Sequence, residues 1–192
     1  MKKRIQKLSI FLLVISLISI SLTLVDAHEE NLTYKYMIGT GFLSEFGKVV
    51  STAPNGDMLE IKGEGMFSAH PFPKTVTGNG TVIHKGRDGI VIGTGKWKAL
   101  KLIGFQSYGN GIPQNLSKDF EGGRALILVR ITPDNPDIPP IDAFLRITCT
   151  IGDKIPKKAM EGIRLAIRDV PQNFHPINFN REVSGGTIFI RE

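Results

Sequence analysis

Apolar and polar residues alternate along most of this chain, and glycine or proline interrupts the alternation at short intervals. That is the pattern of β-strands and leaves little room for long helices. In Ala143-Phe144-Leu145-Arg146-Ile147-Thr148-Cys149-Thr150-Ile151, the residues Ala143, Leu145, Ile147, Cys149 and Ile151 fall on one face and predict contact with a core. Residues 124–131 repeat the design, with Ala125, Ile127, Val129 and Ile131 opposite Arg124, Leu126, Leu128 and Arg130. Leu126 and Leu128 make the second face partly apolar, which predicts a central or covered strand. Further strands are expected over 32–42, 58–67, 74–84, 89–102, 162–168 and 187–191. Lys85-Gly86-Arg87-Asp88-Gly89 reads as a hairpin turn, Ser184-Gly185-Gly186 as a turn before the last strand, and Pro156 can open a short helix over 156–161. About eight strands at this spacing predict one antiparallel all-β domain, a β-sandwich or a closed β-barrel.

Pro133, Pro136, Pro139 and Pro140 cannot donate to a strand ladder, so 132–140 is expected to be a rigid surface loop. Gly-x-Gly recurs at Gly39/Gly41, Gly63/Gly65, Gly78/Gly80 and Gly93/Gly95. A dinucleotide site needs a strand, then the glycines, then a helix. These glycines lie within β-patterned runs, where they mark bends or close backbone approaches. Trp97, the sole tryptophan, shares a face with Val91, Gly93, Gly95 and Ala99 and is expected to anchor the core among small residues. Phe105, Gln106, Tyr108 and Asn110 end the same run in a polar, glycine-rich stretch that reads as an adaptable contact loop.

The first 27 residues change the picture. Lys2, Lys3, Arg4 and Lys7 precede an apolar stretch over 8–25, and Val25-Asp26-Ala27 offers small residues at the positions a signal peptidase reads. This is the pattern of a signal peptide cut before His28, leaving a secreted or cell-surface domain over 28–192. If uncut, the same stretch is long enough to tether the chain. Of 24 basic and 18 acidic residues, removing Lys2, Lys3, Arg4, Lys7 and Asp26 leaves 20 and 17. The remaining charges are scattered without a basic run, which excludes the electrostatic footprint of a nucleic-acid binder. Cys149 is the only cysteine, so the fold rests on its core without an intramolecular disulfide.

Candidate chemistry is sparse. No nucleophile elbow, cofactor fingerprint or metal-ligand spacing occurs, so no cofactor and no metal is expected. Asp134, Asn135, Asp137 and Asp142 at the proline loop match no calcium loop. A free N-terminal His28 would bind copper or nickel only adventitiously. Glu64, His70, His84 and Tyr108 are the residues that a fold could gather into a polar pocket. Asn31, Asn79 and Asn115 each open an Asn-x-Ser/Thr sequon and are candidate glycosylation sites.

Ile92-Gly93-Thr94-Gly95-Lys96-Trp97-Lys98-Ala99 resembles the glycine-aromatic strand segments of dirigent and allene oxide cyclase barrels. The likeness covers these residues alone and implies an eight-stranded barrel holding an apolar small molecule. The residues themselves favour a non-enzymatic binding or structural module. Its loops 106–113 and 133–140 would meet a surface glycan, a protein or a small molecule. The alternative is a secreted enzyme or small-ligand barrel with an interior pocket.

Overall fold

The computed structural model describes residues 32–70, 74–168 and 177–192. The expected signal peptide, His28 and Asn31 lie outside the described residues. Among those described, no helix is long and apolar enough to cross a membrane. The fold is antiparallel all-β, with ten strands: β1 (Leu32–Ile38), β2 (Val49–Thr52), β3 (Met58–His70), β4 (Thr75–Lys85), β5 (Val91–Asn110), β6 (Phe120–Pro133), β7 (Ile141–Cys149), β8 (Gly162–Ile167), β9 (Arg181–Ser184) and β10 (Thr187–Arg191). Two short 3-10 turns, Gly41–Phe46 and Ile112–Gln114, are the only regular helical elements among the described residues.

Strands β3, β4, β5 and β6 form a continuous wall of neighbouring hairpins. Both outer members of the wall change partner along their length. The first half of β3 pairs with β2 and the second half with β1. The start of β6 pairs with β10 and the remainder with β7. Because β1 also pairs with β10, the ladder β1-β3-β4-β5-β6-β10 returns on itself. At the other end, β7–β8 and β2–β9 extend the wall as separate flaps. The result is barrel-like without being a clean barrel.

The expected alternation holds where it was strongest: Ala125, Ile127, Val129, Ala143, Leu145, Ile147 and Cys149 are buried, while Leu126, Leu128, Phe144 and Arg146 are half-buried. Four differences have physical reasons. β2 and β9 are too short to show a period. The 3-10 turn after Gly39 ends β1 before Phe42, since Gly39 and Gly41 adopt positive φ. Residues 156–161 form a turn and no helix. The stretch expected as a loop at 105–110 continues β5, because its backbone pairs with residues 121–125 of β6.

The glycine repeats locate the tightest packing. Gly63 faces Gly80 and Gly65 faces Gly78 across β3 and β4. A Cβ on Gly80 would lie 1.9 Å from the Lys62 carbonyl oxygen and 2.6 Å from Trp97 Nε1, and one on Gly78 would lie 2.0 Å from the Tyr36 hydroxyl. The two rings therefore lie directly on bare backbone, where Trp97 Nε1 donates to the Lys62 carbonyl at 3.0 Å and the Tyr36 hydroxyl to the Thr77 carbonyl at 3.0 Å. Burial pushes the Tyr36 phenol well above its ordinary pKa, so it stays a donor. Gly93 differs, because a Cβ there meets nothing within 4 Å. Gly80→Ala should cost about 2–3 kcal/mol in denaturant unfolding through overpacking. Gly93→Ala should change stability by less than about 1 kcal/mol.

Two carboxylates, Glu161 half-buried and Glu182 buried, clasp the flaps. Glu161 accepts from the Thr150 amide at 2.7 Å and the Thr187 amide at 2.8 Å, and from both threonine hydroxyls, which ties the segment before β8 to β10. Burial nonetheless raises its pKa, so its stabilising contribution is full at low pH and declines as pH rises through the folded-state value. Glu182 on β9, 4% exposed, lies 2.7 Å from Arg146 Nη2 on β7 and 2.6 Å from Arg164 Nε on β8, the latter an ion pair off the hydrogen-bonding angle. Arg146 and Arg164 are direct cross-strand neighbours, so Glu182 also screens two like charges. Glu182→Ala should cost about 3 kcal/mol by equilibrium unfolding, since it leaves both guanidinium groups without their anion.

Glu60 has the opposite pH sign. Burial pushes its pKa up, but hydrogen bonds and charge from Lys85 and Lys48 outweigh this and hold it below the ordinary carboxylate value. Its contribution is present above the unfolded-state pKa and is lost as pH falls through the folded-state value. The stability gap between the wild type and Glu60→Gln should therefore narrow as pH is lowered from about 6 to about 3. Urea titrations at a series of pH values would measure it.

Candidate functional site: an apolar cavity at the barrel mouth

The two ends of the structure differ. At one, Tyr34, Phe67, Phe105 and Phe189 pack ring against ring, with centroid separations of 4.8 Å for Tyr34–Phe105, 4.9 Å for Phe67–Phe105 and 5.0 Å for Phe105–Phe189. This cluster fills the interior. At the other end, β4 turns into β5 and β6 into β7, and the inward positions carry branched aliphatics and glycine. There a partly open cavity of about 300 Å³ remains.

The wall supplies Leu59 from β3, Val82 and His84 from β4, Gly93 from β5 and Ile131 from β6. Leu59, His84 and Gly93 occupy one row across the sheet and so share its inward face. The flap side adds Ile141 from β7, Leu165 and Ile167 from β8, and Phe179, which bridges to Leu165 through paired backbone hydrogen bonds. Ile138 of the proline loop and Ile92 of the hairpin stand at the rim. Ile92 is 60% exposed and continues outward into Ile90 and Val91, which are also exposed.

His84 is the one ionisable side chain in this lining. Its Nε2 lies 3.0 Å from Asp57 Oδ2, and the ring meets Phe179 edge-on at 5.4 Å. Asp57 is itself fixed: its carbonyl accepts from the Ala53 amide at 2.9 Å and its amide donates to Asn55 Oδ1 at 3.1 Å. The lining's one hydroxyl, that of Thr94, donates to Asp134 Oδ2 at 2.5 Å. This arrangement can hold an apolar body and meet one polar group. It offers no nucleophile beside the imidazole and no second acid or base among the described lining residues.

Of the four pocket candidates, the structure brings only His84 to the cavity. Glu64 is exposed on the outer face of β3 and pairs with Lys35 at 3.4 Å. His70 is exposed at the end of β3. Tyr108 is fully buried at the other end of β5, with no hydrogen-bond partner for its hydroxyl among the described residues. The polar convergence anticipated for these four does not form, because β3 and β5 alternate and carry them to different faces and ends.

The contact loop is likewise corrected. Phe105 is part of the aromatic cluster, Gln106 is an exposed strand residue facing Arg124, and Asn110 Oδ1 accepts from the Ile112 amide at 3.2 Å. Asn79 and Asn115 are both exposed, the former on the outer face of β4 between Glu64 and Lys98, the latter in a left-handed turn. Around the proline loop, Asp142 is engaged by Arg130 at 2.7 Å, and this guanidinium holds its carboxyl below the ordinary range. Asn135 Oδ1 accepts from the Asp137 amide at 3.0 Å. Among the described residues, no group of three or more His, Cys, Asp or Glu is placed to hold a metal ion. Burial, with Glu161 nearby, pushes the Cys149 thiol far above its ordinary pKa, which makes it a core residue and a poor nucleophile.

Sequence reasoning missed the aliphatic lining as a site. Leu59, Val82, Ile92, Ile131, Leu165 and Ile167 lie in expected strands and Ile138 in the expected loop, and only the return of the ladder on itself leaves their shared end unfilled. Comparison with family models, with curated proteins and with solved structures finds no match.

Proposed function

We propose that the protein is a non-enzymatic binding module that takes a small, largely apolar molecule at the barrel mouth and works outside the cytoplasm. The observation carrying this reading is the cavity itself. Ligand sites are concave spaces of about 300–1,000 Å³ lined mainly by apolar side chains with a few fixed polar groups. A space of about 300 Å³ with one anchored imidazole fits that description at its small end. The export reading is supported by the N-terminal sequence pattern alone.

The non-catalytic role is part of this reading. A covalent route needs a nucleophile beside an activating base, and none stands beside the imidazole among the described lining residues. Among the described residues, the His84 ring is hydrogen-bonded to Asp57 and the Thr94 hydroxyl is committed to Asp134. The exposed Ile90, Val91 and Ile92 beside the opening give an apolar molecule a path of contact from outside to the interior.

Titration of the mature chain with decanol, followed by calorimetry, should give saturable binding of one molecule per chain. Gly93→Phe places a ring in the open space at Gly93 and should abolish that binding while leaving the far-ultraviolet circular dichroism unchanged. Undiminished binding by a folded Gly93→Phe variant would place the ligand elsewhere.

A further inference from the structure

We infer that the cavity recognises a hydrogen-bond donor, so that it prefers an apolar molecule with a hydroxyl head over one ending in an ether or a carboxylate; this rests on the cavity reading above. The proton inventory of the lining leads there. A carboxylate accepts hydrogen bonds and donates none. Asp57 Oδ2, 3.0 Å from His84 Nε2, therefore fixes the imidazole proton on Nε2. A neutral imidazole carries only that one proton, so Nδ1 keeps its lone pair. Nδ1 has no partner among the described residues.

The surroundings hold this tautomer. Asp57 is set by the turn over residues 53–57, in which Gly56 donates to the Ala53 carbonyl at 3.0 Å, and the Phe179 edge limits the ring from the side. The Thr94 hydroxyl has already given its proton to Asp134. The amides of β3, β4 and β7 beside the cavity lie within paired ladders. What the His84 side chain retains for a ligand is an acceptor. A hydroxyl head satisfies it; an ether leaves Nδ1 unpaired, and a carboxylate sets lone pairs against it beside the Asp57 and Asp134 charges.

The test is calorimetric titration of the mature chain, in mildly alkaline buffer, with decanol, decyl methyl ether and decanoate. Decanol should bind about fivefold or more tightly than the ether, with decanoate the weakest. His84→Leu should bind decanol and the ether equally. Asp57→Asn, whose amide can donate to Nε2 and leave the proton on Nδ1, should shrink or reverse the preference, and it serves if the leucine variant does not fold. Equal binding of decanol and ether by the wild type, strongest binding of decanoate, or a preference that survives in either variant would overturn the inference while leaving the cavity reading intact. Binding of none of the three would overturn the cavity reading itself.

Discussion

The close approach of β3 and β4 at their facing glycines is the constraint on which the rest depends. With Gly63 opposite Gly80 and Gly65 opposite Gly78, no side chain separates the wall from the rings of Tyr36 and Trp97. Tyr36 arrives on β1 and Trp97 on β5, so one patch of bare backbone receives a large ring from each side. Each ring also gives its polar hydrogen to a wall carbonyl, which lets these two aromatics be buried without leaving a donor unmet. Docking Tyr36 there brings β1 onto the second half of β3, and β1 then meets β10 and closes the ladder. A larger side chain at any of the four glycines would hold β1 or Trp97 away from the wall.

Closure at that end decides what happens at the other. The cross-section inside the β1-β10 end is taken up by Tyr34, Phe67, Phe105 and Phe189. At the flap end the strands diverge, β2 and β9 to one side, β7 and β8 to the other, and they are rejoined through Glu182, Arg146 and Arg164. Inward residues there are aliphatic or glycine and do not reach across the wider space. Cavity and aromatic cluster are thus complementary results of one tapering wall.

The sequence made the strands legible wherever the period persisted. Residues 124–131 and 143–147 behave as their alternation requires, and the hairpin at 85–89 and the turn at 184–186 fall in place. β2 and β9, each four residues long, carry too little pattern to be read. Phe105 to Asn110 reads as a loop because its glycines and polar residues match loop composition, whereas pairing with β6 keeps it extended across its bulges. The glycine repeats announced close approach but not which rings would fill it. The site was legible only through His84. Its partner Asp57 lies 27 positions away, and no local spacing announces that pairing.

The balance of terms in such a cavity explains why one imidazole matters. Burying about 200 Å² of apolar ligand surface is worth about 5 kcal/mol. Association itself costs at least about 4 kcal/mol in lost freedom of motion. Apolar contact alone therefore leaves only weak binding and separates one hydrocarbon from another poorly, since a methylene contributes about 0.8 kcal/mol. A single satisfied hydrogen bond, about 1 kcal/mol net, is of the same size as the remaining margin, and an unmet acceptor costs as much again or more. Selection among apolar molecules then turns on the proton carried by His84, and that proton is held in place by Asp57 from outside the lining.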